Sequence, residues 1–253
     1  MHIAITGASG GLGAALAEAY AAPGMRLSLS ARRLPELETV AERCRGKGAE
    51  VFVAQVDVTD VWTVTAWLRG ADAERPLDLV ISNAGVMASH GADGALESID
   101  DATRQLRVNL EGAVLVLREA AEIMRLRGRG RLCAISSLAG LQPLADEPAY
   151  CASKAGLNAY CEALTEFLAP HGVAVTLICP GYIATPMGDG YDGWRPLELS
   201  AGQAADRIKR AIDGRRGFYA FPAPLYWLIR FGRIWPASWR RLVTRAFRFR
   251  LEP

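Results

Sequence analysis

The sequence predicts an α/β fold, a single doubly wound parallel sheet with helices on both faces. Three observations predict it. Short apolar runs alternate with longer segments of helical period. The runs are continuously apolar rather than alternating, as in strands covered on both faces. A glycine-rich turn follows the first run, beginning at residue 7 of 253, where folds of this kind bring a phosphate to a helix N-terminus.

The first strand is read at His2–Thr6 and the first helix at Gly11–Ala22. Between them, Thr6-Gly7-Ala8-Ser9-Gly10-Gly11-Leu12-Gly13 places glycines at 7, 11 and 13. These permit a tight turn and close approach of backbone to a pyrophosphate. An ordinary strand–helix turn would also accept them, and it is the framing by strand and helix that favours a nucleotide. The second strand, Arg26–Ser30, runs through Ala31 into Arg32 and Arg33, ahead of a helix at Leu34–Arg45. A site for NAD carries a carboxylate here for the ribose 2′-hydroxyl. Two guanidinium groups instead suit the 2′-phosphate of NADP. Solvated arginines leading a helix are the plainer alternative, and the missing acid argues for NADP(H) over NAD(H).

The third strand, Glu50–Gln55, leads into Val56-Asp57-Val58-Thr59. Asp57 could accept a hydrogen bond from an adenine amino group, or cap the helix at Val61–Arg69, a task equally open to Thr59 or Asp60. The fourth strand, Leu77–Ile81, ends in Ser82-Asn83-Ala84-Gly85, small residues that let a cofactor lie close. A helix at Ile99–Arg127, a strand at Gly130–Ser136, a helix at Pro148–Ala169 and a strand at Val173–Ile178 follow. A Gly/Pro/Asp-rich loop, Thr185–Ser200, precedes a helix at Gly202–Asp213 and a weaker strand at Gly217–Phe221.

Within the helix from Pro148, Tyr150 and Lys154 stand four residues apart, on one face. An ammonium beside a phenol favours the phenolate and lowers its pKa, so such a Tyr can exchange a proton with an alcohol or carbonyl oxygen. The Ser137 hydroxyl, thirteen residues upstream, would hold that oxygen. Taken alone, the spacing favours an ordinary i, i+4 surface pair.

Composition narrows the classes. The net charge of +2 gives no general argument for nucleic acid, and no zinc-type Cys/His cluster is present. Five scattered cysteines, Cys44, Cys133, Cys151, Cys161 and Cys179, read as reduced thiols of a cytoplasmic protein. Cys151 reads as a packing residue, and His90 and His171 are assigned no chemistry. A strand already begins at His2, which leaves no room for a signal peptide, and no apolar stretch is long enough to span a bilayer.

The ordered set Gly7-x-x-x-Gly11-x-Gly13, Asn83-Ala84-Gly85, Asn109, Ser137, Tyr150-x-x-x-Lys154 and Pro180-Gly181 resembles the short-chain dehydrogenase/reductase family over residues 1–220. The resemblance implies an NAD(P)(H)-dependent oxidoreductase with a seven-stranded parallel sheet. It implies Tyr150 as general acid or base, and Lys154 as the group that holds the nicotinamide ribose and lowers the Tyr pKa. Ser137 would orient the substrate oxygen, with Ser136 as its neighbouring alternative, and Asn109 would support a water relay to Lys154. Cofactor positions fall on Gly7, Ser9, Gly11, Leu12, Gly13, Arg32, Arg33, Asp57, Val58, Asn83, Ala84, Gly85, Tyr150, Lys154, Pro180, Gly181, Ile183 and Thr185. Two positions depart from the family: Gly10 stands where many NADP-dependent members carry a basic residue, and Ser82 replaces an Asn.

The expected activity is NADPH-dependent reduction of a carbonyl to a secondary alcohol, or the reverse, on a small-molecule substrate and with no metal. The alternatives are a catalytically idle NADP-binding regulatory or scaffold protein, and a nucleotide-sugar epimerase or dehydratase, which the chain's length disfavours. A homodimer or homotetramer is expected, and Ala152, Ala155 and Gly156 suit close helix packing. Residues 1–222 form the nucleotide-binding domain and 223–253 a helical extension of it. From Pro222 to the end stand seven arginines against one acid, Glu252. Trp239, Leu242, Val243, Ala246 and Phe247 recur at helical spacing, with Arg240, Arg241, Arg245 and Arg248 on other faces. A shorter stretch holds Leu225, Leu228 and Ile229. The extension reads as a lid or an oligomer interface, with peripheral attachment to an anionic membrane as the alternative.

Overall fold

A computed structural model of the chain describes residues 1–88, 96–188, 191–192, 194–236 and 250–251. The basic stretch from Trp239 to Arg248 and the loop residue His90 lie outside the described residues.

Six strands, β1 (His2–Thr6), β2 (Arg26–Ala31), β3 (Glu50–Gln55), β4 (Leu79–Ser82), β5 (Gly130–Ile135) and β6 (Val173–Pro180), and the edge strand Phe218–Phe221 form one seven-stranded sheet. Every neighbouring pair in it is parallel. From one edge to the other the order is Phe218–Phe221, β6, β5, β4, β1, β2, β3. The chain therefore winds outward from β1 to β3, then returns to β4 on the other side of β1. Ligands bind in the crevice that such a reversal opens at the carboxyl ends of the strands.

The continuous apolar runs are explained by burial on both faces. Ile3 and Ile5 of β1 join one core cluster with Leu16, Leu27 and Ile208. Ala4, between them, joins the other with Val80, Leu117 and Leu132, as the period of two requires. On the first face lie α1 (Gly11–Tyr20), α2 (Leu34–Gly46) and α7 (Ala201–Asp213). On the second lie α3 (Val61–Glu74), α5 (Ala113–Leu126) and α6 (Pro148–Leu168). Ser200 and Gln203 cap α7 reciprocally, the Ser hydroxyl accepting from the Gln203 amide.

The helix expected over 99–127 is not uniform. It runs as α4 (Ile99–Leu106), a π-helical stretch Arg107–Gly112, then α5. Two contacts accompany the widened turn. Gly112 packs so closely that an added Cβ would stand 2.7 Å from Val58 Cγ2. Asn109, fully buried, exchanges two 2.8 Å hydrogen bonds with the backbone of Val86. Such π segments recur at functional sites.

The described residues of the segment 185–200 make pairings that its composition did not suggest. Ile183–Ala184 pairs in parallel with Leu199–Ser200, and Arg195 joins Glu198 at 2.9 Å and the Gly188 carbonyl at 2.9 Å. Tyr191–Asp192 pairs antiparallel with Arg250–Leu251. Beyond the sheet, α8 (Ala223–Gly232) packs Leu225, Tyr226 and Ile229 against the second core cluster.

Candidate active site

The glycine turn is shaped by contact as well as by conformation. Gly7 has φ +66°, and a Cβ there would meet the Ala84 Cα at 2.8 Å. A Cβ at Gly13 would stand 2.1 Å from the Gly7 carbonyl oxygen. Thr6, which sequence reasoning passed over, joins this turn to the end of β4. Its buried hydroxyl accepts from the amides of Asn83 and Ala84 at 3.0 and 3.1 Å. The Asn83 side chain returns a bond to the Thr6 carbonyl at 3.0 Å. The first and fourth strands thus present one continuous cradle at the crevice.

Around the adenosine end, the alternatives left open for Asp57 separate. Asp60 caps α3, accepting from the Trp62 amide at 2.9 Å. Asp57 instead accepts from the amide and hydroxyl of Thr59, at 2.9 and 2.7 Å. Burial works against its charge, but these bonds and the nearby Arg32 guanidinium hold its carboxyl below the usual range. Arg32 and Arg33 are both exposed. Arg33 pairs with Glu36 at 3.2 Å, whereas Arg32 has no ion-pair partner among the described residues. The cradle that a single Cβ would fill, the uncapped use of Asp57 and the unpaired Arg32 all fit a phosphorylated dinucleotide.

At the other end stand Ser137, Tyr150 and Lys154. Ser136 and Ser137 part company here. Ser136 is buried and donates to Asn158 Oδ1 at 2.5 Å, inside the packing of α6. Ser137 caps the short turn Leu138–Gly140 through the Ala139 amide and lies close enough to Tyr150 to favour its ionised form. Lys154 is 4% exposed; its Nζ donates to the Ile135 carbonyl at 3.0 Å and lies 5.7 Å from the Tyr150 ring centre. Burial brings its ammonium down to about 8.

The expectation that Lys154 lowers the Tyr150 pKa is not met by the protein groups alone. Burial pushes the phenol well above its usual value, the Glu147 carboxyl adds to this, and the Ser137 hydroxyl opposes it. The physical reason is the depth of burial, and the Lys154 ammonium is engaged by the Ile135 carbonyl at 3.0 Å.

One cavity of about 530 Å³ joins both ends. Each of Gly7, Ser9, Gly11, Leu12, Gly13, Arg32, Arg33, Asp57, Val58, Asn83, Ala84, Gly85, Pro180, Gly181, Ile183 and Thr185 lines it, together with Ser137, Tyr150 and Lys154. Asn109 does not. Its side chain is engaged by Val86 and, at 3.3 Å, by Ser153, directly behind the lining. The far wall comes from segments that carry no motif: Leu138, Leu144, Glu147, Leu225, Ile229 and Trp235. The face of α8 thus closes the cavity, while Trp227, Phe231 and Ile234 remain exposed.

Cys151 behaves as expected of a packing residue: its sulfur accepts from the Leu144 amide, and burial pushes the thiol up to about 11. All five cysteines are free and buried. Ala152 and Ala155 are exposed on the outer face of α6. No group of metal-ligating side chains occurs among the described residues, and no described helix is long and apolar enough to cross a membrane.

Comparison with known proteins agrees with this architecture. An uncharacterized oxidoreductase of Myxococcus xanthus (strain DK1622) is 33% identical over 234 residues, 92% of this chain and 91% of its own. A short chain dehydrogenase/reductase from Burkholderia phymatum, solved in complex with NAD, superposes with a TM-score of 0.82 at 26% identity, covering 92% of each chain. A metagenomic short-chain oxidoreductase in complex with NADP gives a TM-score of 0.72 at 30% identity, covering 84% of this chain and 90% of its own. The family model described as short chain dehydrogenase matches residues 1–195, and the chain belongs to the short-chain dehydrogenase/reductase family of oxidoreductases.

Proposed function

We propose that the protein is an NADPH-dependent carbonyl reductase, with Tyr150 as proton donor and a small carbonyl compound as substrate. The observation that carries this reading is the single cavity joining the glycine cradle and Arg32 to Ser137, Tyr150 and Lys154. The glycine turn would hold the pyrophosphate at the N-terminus of α1. Arg32, with Arg33, would take the 2′-phosphate, and Asp57 the adenine. Ile183 and Thr185 would meet the carboxamide end, and Lys154 the nicotinamide ribose. When bound, NADPH supplies the hydride.

The chain's own groups handle the proton and the charge. A phenol holds its proton at neutral pH and can give it up to an oxygen that gains charge, as reduction of a carbonyl requires. Ser137, which lines the cavity with Tyr150, would donate to the same substrate oxygen and stabilise charge as it develops there. Lys154, buried and partly relieved of its charge, stands behind the phenol as the next proton source. Asn109 is a positioning residue in this scheme: it fixes Val86 at the cavity wall, and a water relay through it would use its backbone.

The test is NADPH consumption by the purified protein across ketones, sugars and acyl compounds, with NADH in parallel. Ketone-dependent oxidation of NADPH, faster than of NADH, is the expected result. Tight NADPH binding without turnover of any carbonyl would instead favour a regulatory protein.

A further inference from the structure

Glu147 lines the substrate end of the cavity and has no part in the scheme above. It is 3% exposed, and its Oε1 is buried with no hydrogen-bond partner. It stands at the N-cap of α6 yet makes no side-chain cap. The neighbouring acids are accounted for. Glu97 accepts from the Ala149 amide at 2.8 Å and from Gln105 at 2.9 Å, and Asp146 has interactions of its own. A buried carboxyl with an unmet oxygen destabilises a fold, and such a cost persists where the group has a use.

We propose that Glu147 is a specificity-determining residue that receives a hydroxyl group of the substrate, so that the preferred substrate is a hydroxy-ketone. This rests on the carbonyl-reductase reading and deepens it. Glu147 stands at the N-cap of the helix that carries Tyr150, three residues before it, and both residues line the cavity. Its carboxyl is one of the groups that raise the Tyr150 phenol, so the hydroxyl it receives belongs near the carbon whose oxygen Tyr150 protonates.

Of the rest of the wall, Val86, Leu138, Leu144, Leu225 and Ile229 are apolar and suit the body of the substrate, while Gln142 and Tyr182 add polar groups and the charged Arg195 and Glu198 are joined to each other at 2.9 Å. Burial, with Asp146 and Glu97 adding to it, pushes the carboxyl up to about 8. A carboxyl that keeps its proton offers one donor and one acceptor, the complement of a hydroxyl.

The experiment compares acetophenone with 2-hydroxyacetophenone, by kcat and KM with NADPH, in the wild type, Glu147→Leu and Glu147→Gln. The wild type should prefer the hydroxy-ketone by roughly tenfold or more. Glu147→Leu should lose that preference through KM, with acetophenone turnover kept. Glu147→Gln, which still offers a donor and an acceptor, should keep most of it. A wild type that handles the two ketones alike overturns the proposal without any variant. So does a preference that survives in Glu147→Leu, or an equal loss on both ketones. If Glu147→Leu does not fold, Glu147→Met takes its place. Failure of the wild type to reduce any carbonyl with NADPH would overturn the carbonyl-reductase reading itself, whereas equal handling of the two ketones overturns only the role of Glu147.

Discussion

At the nucleotide end of the cavity, the groups come from the ends of β1, β2, β3 and β4. At the substrate end they come from the segment 138–147, the loop 185–200 and α8. The first set is fixed by the sheet: backbone contacts at Gly7 and Gly13 leave no space for a side chain, and Thr6 ties two strand ends together. The second set is held by side chains that pack on the core, such as Leu225 and Ile229. A rigid strand-end cradle demands particular residues at particular spacings. A wall of packed side chains accepts many. The chemistry of the cofactor is thus written in motifs, and the choice of substrate is written in packing.

The sharpest way to break this contrast is to disturb the cradle. Gly13→Ala forces a Cβ to within 2.1 Å of the Gly7 oxygen. It should abolish nucleotide binding and cost about 1–3 kcal/mol or more of stability. Gly10→Ala is its control, since the nearest atom to a Cβ there is Arg33 Nη2 at 4.0 Å. Calorimetric titration with NADPH and thermal melts should separate the two, and equal behaviour would refute a cradle set by close contact.

A smaller effect is expected at Arg32. If Arg32 holds the 2′-phosphate as proposed, Arg32→Ala should weaken NADPH roughly 10- to 100-fold while leaving NADH nearly unchanged. Equal loss for both nucleotides would remove the 2′-phosphate role and, with it, the NADP preference.

A third prediction probes the substrate end. The Glu147 carboxyl lies at about 8 in the folded chain against 4.5 for the free group. Below about 4.5 both states are protonated and the residue is neutral to stability. As pH rises from there to 8, the unfolded chain releases the proton and the folded chain retains it, so stability falls. Glu147→Gln should therefore raise the melting temperature more at pH 8 than at pH 5, by about 2–4 °C for each kcal/mol relieved. A stabilisation independent of pH would mean that Glu147 is not the group titrating.

The same contrast decides what could be read in the sequence. The strands at His2–Thr6 and Glu50–Gln55 were legible to the residue, because continuous apolar runs bounded by turn residues leave few registers. The helix from Ile99 was legible in extent, but its π-helical centre was not. That feature depends on Asn109 meeting Val86 and Gly112 meeting Val58, contacts between distant segments. The family resemblance already favoured Ser137 over Ser136, but the physical reason, Ser136 bound to Asn158 within the packing of α6, lies in a contact between distant segments. Glu147 carried one faint signal, an acid three residues before Tyr150. The motif-free segment Ala139–Glu147 was open to a role in choosing the substrate, but nothing local says that the Glu147 carboxyl is left buried without a partner.

The most direct test of the central claim, that this cavity unites a nucleotide cradle with a Tyr150 proton donor, is a paired measurement on Tyr150→Phe. NADPH affinity and ketone turnover are measured on the same preparation. Affinity close to wild type with kcat lowered about 10²- to 10⁴-fold is the predicted result. Near-wild-type turnover in the variant would contradict it.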